Sequence, residues 1–347
     1  MRAQSRQLLP TLVLTIVLLT SFYARPAYAT GFFSTQVPAP IRFGGASTNA
    51  EMATYQGSVY IAYADEDFTL TVARHDARTG IWTKATRIDQ TLGQSDPSHN
   101  QMALAIDGDG YIHVWYGMHN RQGMRYARSN SPDNVLDGFT VRSKEFPNAN
   151  ESYTYPNAAS APNGDIYFSI RNQGRRLPLF HWDNKQKQWQ ELVVFVEGTA
   201  AKNDGQTYVP YLPWLYVDSA NNVHIKWDWA FGDARSERHN GSYALYRPDT
   251  GRFYRADGTE YALPITALTA EVFQPMPEGV TWNDEGIALS DMVVDAQNQP
   301  VISYAFSPNG SANLWEHRVA HWDGSQWNVI RLTDQTKKWN KDFLIAD

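Results

Sequence analysis

A two-strand pattern repeats along this chain and constrains its fold more than any other feature. An apolar strand is followed by a polar turn rich in Asp, Asn and Gly, and then by a strand of alternating character. The five copies read MATYQGSVYIAYA, MALAIDGDGYIHVWYG, NAASAPNGDIYFSIR, PWLYVDSANNVHIKWDW and DMVVDAQNQPVISYA. Repetition of one supersecondary unit predicts a repeat architecture in which neighbouring units share their cores.

A second pattern follows most of these units. It consists of a strand end, a polar turn and an aromatic residue, as in HDARTGIW, HWDNKQKQW, YRPDTGRFY and HWDGSQW. We expect the turn aspartates Asp76, Asp183, Asp249 and Asp323 to be structural, because a turn aspartate accepts hydrogen bonds from its own backbone. The two patterns give four strands per unit and no segment shows helical periodicity, so the prediction is an all-β fold, a β-propeller of four-stranded antiparallel blades.

The N-terminal residues and the composition suggest a secreted protein with one domain. Arg2 and Arg6 precede an apolar run from Leu8 to Thr20, and Ala27-Tyr28-Ala29 fits a signal-peptidase site, so we assign residues 1–29 to a signal peptide. A membrane anchor is the alternative, although the run is short for one. Residues 30–347 would then form the propeller. The absence of cysteine excludes disulfides, and a net charge of −6 argues against nucleic-acid and membrane partners.

One hairpin carries a histidine at each end. In SHNQMALAIDGDGYIHVWYGMHN, His99 and His119 lie 8 and 9 residues from the DGDG turn at 107–110, so they should face each other across the two strands. By the same rule Leu104 should lie opposite Val114. A third histidine, His113, lies inside the hairpin and is expected to be structural.

The next two units place further polar residues at the corresponding end. Tyr155 and Arg171 lie 7 and 6 residues from the PNGD turn at 162–165, and TYVPYLPW brings Tyr208 and Tyr211 towards the same face. This set contains bases, a phenol and a guanidinium but no facing pair of carboxylates, which glycoside hydrolysis usually needs. It suits elimination from a uronic acid, in which Arg holds the carboxylate, neutral His removes the neighbouring proton and Tyr acts as acid. We expect the nearby arginine to lower the pKa of that tyrosine.

Several motifs together resemble the BNR-repeat propellers that include bacterial ulvan lyases. They are SHNQMALAIDGDGYIHVWYGMHN, RYARSNSP, YTYPN, YFSIRNQG, GSYALYRPDTGRFYRADGTEYALPIT and SDMVVDAQNQPVISYA. The resemblance implies a seven-bladed propeller that cleaves ulvan, a sulfated algal polysaccharide, beside its uronate units by β-elimination. Only five units are visible here, so either the ring has five blades or the sequence is a fragment of a longer one.

The resemblance also implies residue roles. His99 and Tyr155 would transfer protons, Arg171 would neutralise the carboxylate, and His119 and Tyr208 would support the substrate. Tyr153 is a rival of Tyr155, and Tyr211 is a rival of Tyr208. The chemistry needs no cofactor, and we expect a secreted or periplasmic monomer acting on an acidic polysaccharide.

The chain departs from the family in one respect that concerns a metal. Some relatives hold a structural zinc with His and Cys, but this chain has no cysteine. His224 and His239 could be remnants of that site, and Arg175 and Arg238 nearby disfavour a metal. Recognition of sulfate by Arg175, Arg176, Arg235 or Arg238 is a further hypothesis. A sialidase-like glycoside hydrolase and a non-catalytic glycan-binding propeller remain alternative functions, because propellers host all three.

Overall fold

The chain forms five antiparallel sheets in sequence order. The structure, a computed structural model, describes residues 50–92, 101–172, 175–198, 208–231 and 238–334, which belong to the compact unit Pro38–Asp347. Apart from a short 3-10 turn at Ser143–Glu145, all regular structure in those ranges is β-strand. In the described part of the chain, no helix is long and apolar enough to cross a membrane.

Each sheet runs from an inner strand to an outer strand. Sheet 1 comprises β1 (Ala50–Tyr55), β2 (Ser58–Ala64), β3 (Thr69–Asp76), β4 (Ile81–Trp82) and β5 (Thr86–Gln90). Sheet 2 comprises β6 (Met102–Ile106), β7 (Ile112–Tyr116), β9 (Tyr126–Ser131) and β10 (Asn134–Val141). Sheet 3 comprises β8 (His119–Gln122), β11 (Ser152–Ser160), β12 (Ile166–Asn172), β13 (Arg176–Asp183) and β14 (Gln188–Glu197).

The last two sheets repeat this order. Sheet 4 comprises β15 (Tyr208–Val217), β16 (Val223–Phe231), β17 (Arg238–Arg247), β18 (Arg252–Tyr254) and β19 (Glu271–Gln274). Sheet 5 comprises β20 (Ile287–Val294), β21 (Pro300–Phe306), β22 (Glu316–Trp322) and β23 (Trp327–Arg331). The five repeats predicted from the sequence are therefore the five sheets, and the all-β propeller prediction is confirmed.

The core lies between successive sheets, because strands such as β7 and β12 are buried on both faces. On β7, for example, Val114 joins the cluster shared with sheet 1, whereas Trp115 joins the cluster shared with sheet 3. Trp115 stacks on Phe168 of sheet 3 with ring centres 4.5 Å apart. This face-to-face packing of neighbouring sheets is what the shared cores of a propeller require.

The turns of sheets 2 and 3 touch each other directly. The Gly108 amide donates to the Gly164 carbonyl at 2.9 Å, and a side chain at Gly108 would lie 2.7 Å from the Gly164 Cα. Glycine is therefore needed in both DGDG and PNGD, since no Cβ fits between the two backbones.

Three of the four turn aspartates are structural, as the sequence predicts, whereas the same role for Asp249 stays a prediction. Asp76, Asp183 and Asp323 each accept two backbone hydrogen bonds from the residues two and three positions later. These bonds pre-form the tight turns that join the outer strands.

Candidate active site

A β-bulge in the inner strand of sheet 3 builds the centre of the site. Thr154 pairs with Arg171 and Asn157 pairs with Ser169, so Tyr155 and Pro156 together face one residue of β12. Tyr155 has a positive φ of 63°, which a bulky residue before proline adopts only under strain. The bulge turns the Tyr155 ring towards Arg171, whose guanidinium carbon lies 4.8 Å from the ring centre.

Tyr155 and Arg171 thus meet, but not in the way predicted. They are not cross-strand partners, because the bulge shifts the register by one residue and Arg171 pairs with Thr154. The contact is a cation–π interaction in place of a side-by-side pair.

Tyr211 of sheet 4 extends this cluster. Its ring centre lies 5.6 Å from that of Tyr155 and 4.1 Å from the Arg171 guanidinium carbon. Arg238 approaches the same ring, at 5.0 Å. Arg171 is only 7% exposed, and its buried Nη1 has no hydrogen-bond partner. The guanidinium is therefore fixed by aromatic rings and keeps hydrogen-bonding capacity for a ligand.

His119 belongs to the same cluster but reaches it by a different route from the one predicted. It begins β8, which pairs, among the residues that the structure describes, with β11 of sheet 3. The chain leaves sheet 2 at Gly117, where φ is 63°. The His119 ring centre lies 6.2 Å from that of Tyr155. His99 lies outside the described residues, so its predicted position opposite His119 stays a prediction.

The rival tyrosines are separated by their burial. Tyr153 is in the core between sheets 2 and 3, where its hydroxyl donates to the Asn148 carbonyl at 2.9 Å. Tyr208 is in the core between sheets 3 and 4 and packs against Phe231 and Trp282. Among the four candidates, Tyr155 and Tyr211 are the pair that the structure brings together.

Burial changes the acidity of Tyr155. Removal from water raises its pKa above the ordinary value, and Arg171 and Arg238 counteract this only in part. The expectation of a lowered pKa is therefore wrong in its net direction, because desolvation of the phenolate outweighs the two cations. The phenol is neutral at physiological pH and can donate a proton.

Asp228 is a member of the cluster that the sequence analysis did not identify. It is the cross-strand partner of Tyr211, is 1% exposed, and lies 3.9 Å from Arg238 Nη1. Burial raises its pKa, and Arg238, Lys226 and Arg171 oppose this rise. The sequence does contain a signal for the bulges that position this cluster, because YTYPN and YVPYLPW both place proline in an inner strand.

His224 and His239 do not form a common metal site. They lie on β16 and β17, and His239 pairs with Trp229, five residues along the strand from His224. Five residues of strand correspond to about 16 Å. His224 contacts Tyr243 and Asp218 through its two ring nitrogens, at 2.7 and 3.3 Å, whereas His239 Nε2 donates to the Asp284 carbonyl at 2.9 Å. These residues do not fit a zinc ion as a pair, and within the described ranges no three His, Asp or Glu residues cluster as metal ligands.

His113 is part of the core. It is fully buried, with Nδ1 2.7 Å from the Tyr126 hydroxyl and Nε2 3.3 Å from Asp107. His224 has the same arrangement with Tyr243 and Asp218, two sheets later. The repetition of one Asp–His–Tyr contact in two sheets indicates a structural role for both histidines.

Comparison with known proteins identifies the family. The model of the BNR repeat-containing family matches residues 58–335. The chain belongs to this family. The resemblance found in the sequence motifs is thereby confirmed.

The BNR-repeat chain is similar to curated ulvan lyases. It is 23% identical to an ulvan lyase of Pseudoalteromonas sp. (strain PLSV), over 84% of this chain and 65% of the relative. It is 25% identical to the ulvan lyase of Nonlabens ulvanivorans, over 79% of this chain and 64% of the relative. The chain therefore spans just under two thirds of the length of these relatives.

Solved structures support the fold of the BNR-repeat chain. An ulvan lyase bound to -[GlcA(1-4)Rha3S]- superposes with a TM-score of 0.66 at 20% identity, covering 85% of this chain and 72% of that one. The polysaccharide lyase Uly1 also gives 0.66, at 16% identity, over 88% and 77% of the two chains. At this identity the likeness concerns the fold.

Proposed function

We propose that this protein is a secreted polysaccharide lyase that cleaves ulvan, or a similar uronate-containing sulfated polysaccharide, by β-elimination. The observation that carries the proposal is the Arg171 guanidinium, buried against the Tyr155 and Tyr211 rings with hydrogen-bonding capacity left over. The relationship to ulvan lyases supports the substrate class.

Arg171 would bind the uronate carboxylate. Pairing with a cation in a site of low polarity stabilises the negative charge that develops on the carboxylate as the neighbouring C–H bond breaks. Because two aromatic rings fix the guanidinium, little reorganisation is needed as that charge grows.

The proton transfers would divide between His99 and Tyr155. His99 removes the proton from the carbon next to the carboxylate, and the electron pair of that bond forms a double bond to the adjacent carbon. The glycosidic C–O bond on that carbon then breaks, and the Tyr155 hydroxyl gives its proton to the departing oxygen. The raised pKa of Tyr155 suits a donor, since it keeps the phenol protonated until the oxygen becomes basic. His119 and Tyr211 would position the sugar, with Tyr211 taking the place first expected for Tyr208.

The test is the ultraviolet absorbance of unsaturated uronate when the purified protein is mixed with ulvan. A rise supports the lyase, and no rise from folded protein contradicts it. Saturated sugars without absorbance would indicate a glycoside hydrolase, and binding without product would indicate a glycan-binding propeller. Size-exclusion chromatography of the same sample tests the expected monomer.

A further inference from the structure

Arg171 and Asp228 occupy equivalent places in neighbouring sheets. Arg171 is the partner of the residue just before the bulge of β11, and Asp228 is the partner of Tyr211, just before the bulge of β15. Both bulges contain a left-handed residue followed by proline, Tyr155-Pro156 and Leu212-Pro213. The fold thus presents a cation from one sheet and a carboxylate from the next at the same depth of the same face.

Charged groups without hydrogen-bond partners are concentrated in this cluster. Neither Oδ1 nor Oδ2 of Asp228 accepts a hydrogen bond, although Oδ2 lies 3.9 Å from Arg238 Nη1, and Arg171 Nη1 and Arg238 Nε donate none. Buried charged groups normally have hydrogen-bond partners, because leaving one unsatisfied destabilises the folded protein. Two unsatisfied donors and two unsatisfied acceptors around one tyrosine indicate a site for a ligand that both accepts and donates hydrogen bonds.

A uronic acid unit has that chemistry, whereas a simple anion does not. Its carboxylate accepts from arginine, and its ring hydroxyls can donate to a carboxylate. A sulfate ester group only accepts, so its oxygens would be repelled by Asp228 and would leave both Asp228 oxygens unsatisfied.

We propose that Asp228 is a specificity-determining residue that makes the Arg171–Arg238 site select a hydroxyl-bearing uronate over a bare anion such as a sulfate ester. This inference rests on the proposed function. In a polymer that carries both groups, the selection acts on the group that faces Asp228, where a hydroxyl donor is favoured and a sulfate ester is disfavoured. Asp228 contacts no reacting bond in this scheme. It determines which sugar unit of the polymer binds in the site.

The test compares two singly charged probes, sodium glucuronate and sodium methyl sulfate. Their dissociation constants are measured by calorimetric or NMR titration at constant ionic strength for the full chain and for Asp228→Asn. Removal of one negative charge beside the site should lower the dissociation constant of methyl sulfate about tenfold. The dissociation constant of glucuronate should fall by less or should rise, because the charged acceptor for its hydroxyl is lost. Equal changes for both probes, or none, would overturn the proposal.

Two further variants keep the result interpretable. Asp249→Asn removes the same charge from an exposed turn of sheet 4 and should leave both constants unchanged. If Asp228→Asn does not fold, Arg238→Gln serves instead: methyl sulfate should weaken at least about tenfold, and glucuronate should weaken less because Asp228 remains. Equal weakening would again overturn the proposal. Because these are binding measurements, a protein that selects glucuronate but does not cleave ulvan would refute the lyase alone.

Discussion

The Arg171 guanidinium carbon lies 4.8 Å from the centre of the Tyr155 ring, although the sheet pairs Arg171 with Thr154. The bulge therefore decides which side chain meets the arginine. A positive φ at a non-glycine residue costs about 1–3 kcal/mol and is retained where the surroundings or the function require it.

Replacement of Tyr155 by Phe should reduce lyase activity at least about a hundredfold, because the proton donor is lost while the ring and its contact with Arg171 remain. Initial rates of absorbance increase on ulvan measure this. Tyr153→Phe is the matched control: it removes a hydroxyl two residues away that bonds to Asn148, so it should cost about 1 kcal/mol of stability and leave the rate unchanged. Equal activity losses in the two variants would refute the assignment.

Replacement of Arg171 by Lys should lower kcat/KM about a hundredfold or more, since an ammonium cannot pair in bidentate fashion with a carboxylate or stack on two rings in the same way. Steady-state kinetics on ulvan check the value. Arg252→Lys, at an exposed ion pair with Glu260, should change neither activity nor melting temperature noticeably. Near-normal kcat/KM for the Arg171 variant would show that the carboxylate binds elsewhere.

The ionisation of Tyr155 should occur above pH 10, because burial raises its pKa from the ordinary value of 10.0. Tyrosinate absorbance as a function of pH, taken as the difference between the protein and Tyr155→Phe, measures it. Arg238→Gln should move the transition higher still, as it removes a cation that lowers the pKa. A transition below pH 10 would contradict the dominance of burial.

Acid should destabilise the protein partly through His113. Burial lowers its pKa, so the folded state holds the ring neutral while the unfolded state takes up a proton below pH 6.5. Its contribution to stability is therefore complete above that pH and is lost as the pH falls, by up to about 1.4 kcal/mol per pH unit. Denaturant unfolding at pH 7 and 5.5 should show a smaller difference for His113→Gln than for the unmodified chain. His321→Gln is the control, because the His321 side chain is 37% exposed on the last sheet. The stability difference between the two pH values should not change in the same way in the two variants.

The sequence predicts the sheets because turn composition and alternation fix strand register. Leu104 does lie opposite Val114, as the position of the DGDG turn predicts. The same rule failed by one residue at Arg171, because a bulge adds a residue to one strand and leaves no mark in the count. At His119 the chain changes sheets after a glycine, which local pattern does not reveal. Tyr208 and Tyr211 lie three residues apart on one strand and therefore point to opposite faces of the sheet. Which of the two faces the site depends on the second bulge.

The strand β8 has a consequence for recombination between members of this family. The chain leaves sheet 2 after β7, contributes β8 to the edge of β11 in sheet 3, and returns to sheet 2 as β9. The two repeats are therefore interlaced, and no single cut of the chain between β7 and β11 separates them cleanly. A chimera with its crossover between β8 and β11 would inherit His119 from one parent and Tyr155 from the other, so the site would evolve as a joint property of both repeats.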